Sequence, residues 1–389
     1  MPLELDSRTG RSAQPASTGL GWPSGPRRAG ADAVGRLALG WPDLSGDRTH
    51  SDRPPPAPVS RETSVDRHID KDIDEDEIER RMLTSFVPTA DESTPLAQEL
   101  AENARRRIDL HGRTFPAPAA TRVITVANQK GGVGKTTSTV NLAAALAQAG
   151  LTVLVLDNDP QGNASTALGI DHHAEVPSIY DVLVDGLPMQ DAVMPCPEVP
   201  GLLCVPATID LAGAEIELVP MVARETRLRT ALMRYLDYRA EAGLPRIDYV
   251  LVDCPPSLGL LTVNAFVVAE EVLIPIQCEY YALEGLTQLL KNIELIRAHL
   301  NPRLHVSTIL LTMFDARTRL ASQVADEVRT HFSDIVIRST IPRSVRISEA
   351  PSHGQTVMTY DPVSSGALSY LAAARELAER SITTKGSRQ

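Results

Sequence analysis

Ten residues, NQKGGVGKTT at positions 128–137, combine three glycines with two lysines and two threonines. Closely spaced glycines let backbone N–H groups converge on phosphate oxygens. Lys135 then supplies a positive charge for the β- and γ-phosphates, and the Thr136 hydroxyl supplies a ligand for Mg²⁺. The usual pattern, G-x-x-x-x-G-K-[ST], requires a glycine five residues before Gly134, where this chain has Gln129. The segment therefore predicts a phosphate-binding loop of unusual form, with a second lysine, Lys130, at its start. Its candidate nucleotide-binding residues are Lys130, Gly131, Gly132, Val133, Gly134, Lys135, Thr136 and Thr137.

Aspartates stand at the ends of two apolar segments. Asp157 and Asp159 close LTVLVLDND, and Asp253 closes IDYVLVD. Mg²⁺ prefers oxygen ligands, and a water that attacks phosphorus must be held in place, so these carboxylates predict a metal and hydrolysis site beside the loop. Asp157 and Asp159 face the same side if the chain is extended. The alternative is that the carboxylates only cap the turns that follow.

The elements that must position these residues alternate between strands and helices from residue 121 onwards. The predicted strands are RVITVA, LTVLVLD, GLLCVPA, IDYVLVDCP, EEVLIPIQ and LHVSTILLTMF. Helical segments such as KTTSTVNLAAALAQAG and YALEGLTQLLKNIELIRAHL separate them. Strands that are apolar on both faces and joined by helices predict an α/β fold, a mostly parallel twisted sheet flanked by helices on both faces.

Composition predicts four regions along the chain. Residues 1–92 contain segments rich in Pro, Gly, Ser and Arg and then a mixed-charge run, which cannot bury enough apolar surface to fold, so we expect a disordered arm. Residues 93–120 are expected to form a short helix and a Pro-containing linker. The folded domain is predicted at 121–380, and a disordered tail at 381–389.

Composition also excludes several classes of protein. With 4% aromatic residues and a net charge of −11, the chain is neither a stacking platform for single strands nor a basic protein that wraps DNA. The four cysteines form no C-x-x-C pair, which favours reduced thiols. We see no signal-peptide core and no apolar run near about 18 residues, so the expected location is cytoplasmic.

The segment KGGVGKT resembles the deviant Walker A loop of the ParA/MinD group of P-loop ATPases. The resemblance implies ATP and Mg²⁺ as cofactors, with Lys130 reaching across a dimer interface to phosphates held by the other subunit. DNDPQGN at 157–163 is similar to the A′ motif of the group, which implies that Asp159 orients the hydrolytic water and Asp157 lies near Mg²⁺. Asp253 resembles a Walker B aspartate that holds Mg²⁺ through water. The implied catalytic residues are Lys130, Lys135 and Asp159, and the implied metal residues are Thr136, Asp157 and Asp253.

Three further segments resemble the chromosomal ParA/Soj branch: QCEYYALEGL, LLTMFDARTRL and IPRSVRISEAPSHGQTV. The resemblance covers about residues 121–380. It implies adenine contacts near Pro342 and Ser344. Arg317, Arg343 and Arg346 are the candidates for sequence-independent DNA contact, although the nearly balanced charges of 315–349 also fit an ordinary solvated surface.

The resemblance implies a partitioning ATPase. Its ATP-bound homodimer would bind double-stranded DNA non-specifically on the nucleoid, and a ParB-like centromere-binding partner would trigger hydrolysis and release. The C-terminal end lacks the bulky amphipathic helix of a MinD-like membrane anchor, so no membrane insertion is expected. An alternative is that the same ATPase positions another cargo, such as a polar or membrane-associated complex, with the N-terminal arm contacting a polar scaffold. An iron–sulfur reductase is disfavoured because the cysteines are not paired. Chromosome and plasmid cargo both remain open.

Overall fold

The computed structural model describes residues 101–386, apart from 102, 103, 106, 111, 280 and 281. The arm predicted at 1–92 lies outside the described residues, as do the first residues of the helix predicted from 93. Residues 107–110 are helical, and residues 112–121 form irregular chain with turns before the first strand. The last helix continues to Gly386, into the segment predicted as a tail at 381–389, and residues 387–389 lie outside the described residues.

The strands are β1 (Arg122–Val126), β2 (Val153–Asp157), β3 (Met194–Pro195), β4 (Leu202–Val205), β5 (Tyr249–Asp253), β6 (Glu271–Gln277), β7 (His305–Phe314) and β8 (Val336–Pro342). The helices are α1 (Lys135–Gln148), α2 (Asn163–Ala167), α3 (Ile179–Leu183), α4 (Leu211–Glu217), α5 (Arg227–Glu241), α6 (Leu260–Val268), α7 (Ala282–His299), α8 (Arg319–His331), α9 (Val345–Glu349), α10 (Val357–Tyr360) and α11 (Ser365–Gly386). Short 3₁₀ turns lie at Met189–Asp191 and Ala350–His353.

The strands form one eight-stranded sheet in the order β3-β4-β2-β5-β1-β6-β7-β8. Every neighbouring pair is parallel except β3 and β4 at one edge. Parallel strands need crossover connections, and helices supply most of them here. The predicted fold class, a mostly parallel sheet with helices on both faces, is confirmed.

Each face of the sheet packs into its own apolar core. Alternate residues of a strand point to opposite faces, so Leu154 and Leu156 enter one core whereas Val153 and Val155 enter the other. Helices α4 to α8 cover the first face, and α1 and α11 cover the second. Burial on both sides explains why the strands read as continuous apolar runs.

Strand register brings three strand ends together at the middle of the sheet. Asp253 of β5 is level with Val126 of β1 on one side and with Asp157 of β2 on the other. The loop after β1 therefore emerges beside two carboxylates.

A chain segment before the first strand also packs on the domain. Leu110 and Phe115 are buried, and the Phe115 amide donates to the Ala149 carbonyl (3.2 Å). Arg375 of α11 pairs with Asp109 (2.8 Å). Residues 109–115 are thus held against α1 and α11.

Candidate functional site

The phosphate-loop candidate joins the end of β1 to the start of α1. Gly132 and Gly134 have φ angles of 72° and 85°, a left-handed conformation that glycine adopts without strain. Among the described residues nothing lies within 4 Å of a Cβ placed at Gly131 or Gly132, so the loop has open space in front of its backbone. At the base of the loop, Asn128 donates to the Pro275 carbonyl (2.8 Å) and accepts from the Lys130 amide (3.0 Å). The loop is anchored at its base and open in front, as an anion cradle requires.

Lys135 begins α1 and is almost completely buried. Its Nζ atom donates to the Lys130 carbonyl (3.3 Å), which folds the side chain back under the loop. Burial lowers the pKa of Lys135, and the charges of Asp253 and Asp159 act in the opposite direction. A buried ammonium group below an open cradle is placed to meet phosphate oxygens.

Asp253 ends β5 and is fully buried. Burial raises the pKa of its carboxyl, the neighbouring Asp157 raises it further, and the hydroxyls of Thr136 and Thr139 lower it. Thr139 donates to Oδ1 (3.2 Å), whereas Oδ2 has no hydrogen-bond partner within the described chain. An unpaired buried carboxylate oxygen next to a threonine hydroxyl fits a hard divalent cation, so Thr136 and Asp253 are suited to hold Mg²⁺ directly or through water.

Asp157 is equally buried but differently bonded. Its Oδ2 accepts from the backbone amide (2.8 Å) and the hydroxyl (2.6 Å) of Ser165. Its Oδ1 accepts from the Asp159 amide (3.3 Å). Burial raises the pKa of Asp157, and the bonds from Ser165 oppose that shift.

Asp159 lies at the surface of the cleft, although it is mostly buried. Its Oδ1 accepts from the Gln161 amide (3.1 Å), and its main-chain carbonyl accepts from the Gly162 amide. One carboxylate oxygen is tied to its own turn, and the residue faces the space in front of the loop.

A cleft of about 540 Å³ opens at this end of the sheet. It is lined by Gly131, Gly132, Gly134, Lys135, Thr136, Thr137, Val140, Asn141, Asp159, Gln161, Asn163, Thr166, Ala167, Pro256, Met313, Ala350, Pro351, Gln355 and Val357. The cleft thus brings seven of the predicted site residues together and has the size of a small-molecule pocket.

Several predicted residues lie outside this lining. Val133 is buried beneath the loop, and the two aspartates at the strand ends lie behind the cleft wall. Pro342 ends β8 and Ser344 precedes α9, and neither lines the cleft, so their adenine contacts stay a prediction.

Twelve of the lining residues were not predicted from the sequence, among them Gln161, Asn163, Met313, Pro351 and Gln355. Gln161 and Asn163 belong to the DNDPQGN motif, whose spacing could have indicated them. Met313, Pro351 and Gln355 lie in segments that we used only to select a branch, and no local pattern marks them as cleft residues.

Lys130 is not among the residues that line the cleft of its own chain. Its Nζ atom pairs with Glu279 at 2.7 Å, and both side chains are partly exposed. Glu279 also accepts from the Gln277 amide group (2.5 Å). In a single chain, the second lysine of the loop is therefore bound to a carboxylate and not directed at the phosphate cradle.

The three candidate DNA-contact arginines lie near the C-terminal ends of β7 and β8. Arg317 pairs with Asp315 (2.9 Å), which holds the pKa of that carboxyl below its usual value. Arg346 pairs with Glu349 (3.3 Å) and Asp361 (3.4 Å). Arg343 follows β8, and its amide donates to the Phe314 carbonyl. The arginines are matched by acidic neighbours, so this surface is only weakly basic.

The cysteines Cys196, Cys204, Cys254 and Cys278 are buried and free. The described residues contain no cluster of three or more His, Cys, Asp or Glu side chains that could hold a metal, and no helix among them could span a membrane.

Comparison with known proteins gives a consistent result. The family model described as "AAA domain" matches residues 121–306. The sporulation initiation inhibitor protein Soj of Bacillus subtilis is 52% identical over 257 residues, which cover 66% of this chain and 98% of Soj. The chain belongs to the ParA/Soj family of chromosome-partitioning ATPases. The chromosome partitioning protein ParA of Caulobacter vibrioides is 51% identical over 259 residues, 67% of this chain and 94% of that ParA.

Solved structures support the fold. Cobyrinic acid a,c-diamide synthase from Mycobacterium smegmatis, with a bound ATP analogue and magnesium, matches with a TM-score of 0.57 and 35% identity, covering 69% of this chain and 98% of that one. The septum site-determining protein MinD from Pyrococcus horikoshii, complexed with Mg-ADP, matches with a TM-score of 0.52 at 24% identity and supports the fold alone. The family is that of P-loop ATPases, and structural neighbours bind ATP or ADP with Mg²⁺.

Proposed function

We propose that this ParA/Soj-family protein is a Mg²⁺-dependent ATPase whose ATP-bound form is a homodimer that binds DNA and is released by hydrolysis. The observation that carries the proposal is the direction of Lys130. The loop has the residues to hold phosphates, yet its second lysine lies outside its own cleft and pairs with Glu279. A site with one lysine placed below the cradle and the other directed outwards is complete if a second subunit contributes the missing charge.

ATP binding follows from the loop itself. The glycine-rich backbone and the N-terminus of α1 hold the phosphates, and Lys135 compensates their charge from below. Thr136 and Asp253 would hold Mg²⁺, which would supply neutralisation of the phosphate charge. The phosphates would thus add to the negative charges of Asp253 and Asp159, which already act on Lys135.

Hydrolysis requires a water in line with the bond between the γ-phosphorus and the β–γ bridging oxygen. Asp159 faces the open space of the cleft and keeps its position through Gln161, so it can accept a hydrogen bond from that water. The water attacks the γ-phosphorus, the bond to the bridging oxygen breaks, and ADP and phosphate result. Lys135 and the partner's Lys130 stabilise the charge that develops on the transferred group.

DNA binding by the dimer needs only phosphate contacts. Arg317, Arg343 and Arg346 lie on a weakly basic surface, and pairing two subunits doubles that surface. A ligand that favours the dimer also favours the DNA-bound state, and hydrolysis reverses both. A ParB-like centromere-binding partner is the proposed trigger for hydrolysis.

The test uses Asp159→Ala in an ATP-dependent DNA co-sedimentation assay. We expect this variant to remain ATP-bound and DNA-bound, because it binds nucleotide but cannot orient the water. Lys135→Ala should lose nucleotide binding and with it DNA binding. Wild-type partner-stimulated hydrolysis by Asp159→Ala would contradict the catalytic role.

The DNA surface has a matched control. Arg346 and Arg297 are both exposed arginines on helices, each paired with a glutamate three residues away. Arg346→Glu should abolish co-sedimentation, and Arg297→Glu should not. If the wild-type chain hydrolyses ATP but never binds DNA, the ATPase positions another cargo.

A further inference from the structure

One buried carboxylate ties together both ends of the loop that carries Asp159. Asp157 is the last residue of β2, and its side chain has no solvent exposure. Its Oδ1 accepts from the amide of Asp159 at the start of the loop, and its Oδ2 accepts from the amide and hydroxyl of Ser165 in α2, which follows the loop. The loop is therefore closed onto the strand that precedes it.

Ser165 connects this closed loop to a second strand. Its hydroxyl donates to Asp157 at 2.6 Å and accepts from the Ala207 amide at 3.2 Å. Ala207 follows β4, which is the sheet neighbour of β2. Ser165 is itself fully buried, so one hydroxyl joins the loop to the ends of two adjacent strands without access to water.

The loop between these two fixed points faces the cleft. Asp159, Gln161 and Asn163 all line it. Ser165 is held to the buried carboxyl by bonds of 2.8 and 2.6 Å, and the Asp159 amide by a longer bond of 3.3 Å. Breaking hydrogen bonds to a buried charge is costly in a low-dielectric interior, so these groups keep their places. The position of Asp159 against the phosphates is thus set from behind, by Asp157 and Ser165.

The neighbouring strand end shows the contrast. Asp253 is level with Asp157 in the sheet, and its Oδ2 lacks a hydrogen-bond partner among the described residues. Both oxygens of Asp157 are occupied. The hydrogen bonds that both oxygens of Asp157 accept leave it fewer free lone pairs for a cation, whereas Oδ2 of Asp253 has none of its lone pairs engaged by a described residue.

We infer that Asp157 and Ser165 are positioning residues that hold the water-orienting Asp159, and that Asp157 is not a ligand of Mg²⁺. The inference rests on the proposed function, because it assigns the metal to Thr136 and Asp253 and hydrolysis to Asp159. It differs from the family resemblance, which implies that Asp157 lies near the metal.

The first experiment measures steady-state ATP hydrolysis by Ser165→Ala in the full chain with DNA and partner present. A displaced Asp159 should reduce kcat about 10- to 100-fold, the usual effect of an ångström-scale misplacement, with the KM for ATP within about threefold. Ser165→Thr keeps the hydroxyl and should recover most of the rate. An unchanged kcat in Ser165→Ala, or an equal loss in Ser165→Thr with wild-type thermal stability, would overturn the inference.

The second experiment measures metal affinity without turnover. Mn²⁺ binding to the ADP complex, followed by electron paramagnetic resonance, reports the ligands directly. Asp157→Asn and Ser165→Ala should bind Mn²⁺ within about threefold of wild type, whereas Asp253→Asn should bind at least about tenfold more weakly. If Asp157→Asn loses as much Mn²⁺ affinity as Asp253→Asn, Asp157 is a metal ligand and the inference is wrong. If Asp157→Asn does not fold, the kcat of Ser165→Ala from the first experiment is the deciding measurement.

The two experiments separate this inference from the proposed function. If wild-type chain does not hydrolyse ATP under any condition, the proposed function fails, and the Mn²⁺ measurement still tests the role of Asp157. If wild type hydrolyses ATP and Ser165→Ala hydrolyses it equally fast, only the inference fails.

Discussion

Replacing Asp253 by asparagine should stabilise the nucleotide-free protein while it weakens metal binding. Asp253 has no solvent exposure, one unpaired oxygen and a second buried aspartate, Asp157, at the same level in the adjacent strand. Burial and this like charge raise the pKa of Asp253 far above its ordinary value of 3.8. Folding without the metal therefore forces the carboxyl to take up a proton or to remain charged in a poor environment.

The magnitude follows from proton linkage. Each pH unit above the unfolded-state pKa costs about 1.4 kcal/mol while the folded carboxyl keeps its proton, so the ceiling at pH 7 is about 4 kcal/mol. The asparagine side chain brings an N–H donor that lacks a hydrogen-bond partner in this buried position, and this cost offsets about 1–3 kcal/mol of the stabilisation. We expect Asp253→Asn to gain about 1–3 kcal/mol near neutral pH, or roughly 2–10 °C in Tm.

The sign of the pH dependence is fixed. The pKa of Asp253 is higher in the folded than in the unfolded protein. Its contribution to the free energy of unfolding is therefore fully present below the unfolded-state pKa and is lost as pH rises towards the folded-state pKa. The advantage of Asp253→Asn should therefore be small near pH 4 and grow with pH until the folded pKa is passed.

The assay is thermal unfolding in EDTA without nucleotide, from pH 4 to pH 9, repeated with excess Mg²⁺ and ATP. Wild type should gain about 2.7 kcal/mol at ligand concentrations one hundred times Kd, and Asp253→Asn should gain much less. Asp315→Asn is the control, because Asp315 is near the surface and its pKa is lowered by Arg317, so its removal should bring no gain. A lower Tm for Asp253→Asn at pH 8, or a gain that does not change with pH, would refute the reasoning.

Three further changes test other parts of the molecule. Glu271 accepts two hydrogen bonds of 2.7 Å from Arg122, and both side chains are mostly buried. Glu271→Gln leaves the Arg122 charge without this carboxylate, so urea unfolding should show a free energy of unfolding lower by about 3 kcal/mol. Burial raises the pKa of Glu271, but Arg122 lowers it more, so the pKa lies below its usual value. The stability lost in Glu271→Gln should therefore shrink as pH falls below about 4.5. A stability difference from wild type that stays constant down to pH 3 would contradict this prediction. Glu279→Gln removes a partly exposed ion pair with Lys130, so the free energy of unfolding should change by less than about 1 kcal/mol. Because Lys130 is then free to reach the other subunit, sedimentation should show dimerisation at an equal or lower ATP concentration than in wild type. If the variant needs more ATP to dimerise, Glu279 does not compete with the phosphates for Lys130. Phe115→Ala should cost about 3–5 kcal/mol in urea unfolding, because the ring is buried in the core beneath α1 and α11, and a loss below 1 kcal/mol would show that the segment before β1 is not part of the domain.

The local parts of the site could be predicted from the sequence. The strand, glycine-rich loop and helix around Lys135 are contiguous, so the residue types and their spacing define them. The aspartates at strand ends were also predictable, because an apolar run that stops at a carboxylate marks both the end of a strand and a polar edge.

The relations between distant strands could not be predicted from spacing. Val126, Asp157 and Asp253 come together because β1, β5 and β2 are neighbours in the sheet, and that order depends on how all the helices pack. The same holds for Gln355, which reaches the cleft from a segment more than two hundred residues after the loop.

Side-chain bonding was hidden from the sequence as well. DNDPQGN shows two aspartates of the same type, yet one is bonded at both oxygens and the other faces the cleft. Only the folding of residues 158–165 back onto β2 separates their roles. The pairing of Lys130 with Glu279 likewise requires the ends of β1 and β6 to be adjacent.

The most direct test of the central claim, that Lys130 completes the site of a second subunit, is the mass of the ATP-bound protein. Mass photometry in Mg²⁺ and ATP would compare Asp159→Ala, which should not turn over, with the double variant Lys130→Ala, Asp159→Ala. We expect a stable dimer for the single variant and a monomer for the double variant, with both still binding ATP. A double variant that dimerises as readily as the single variant would contradict the role of Lys130 across the interface.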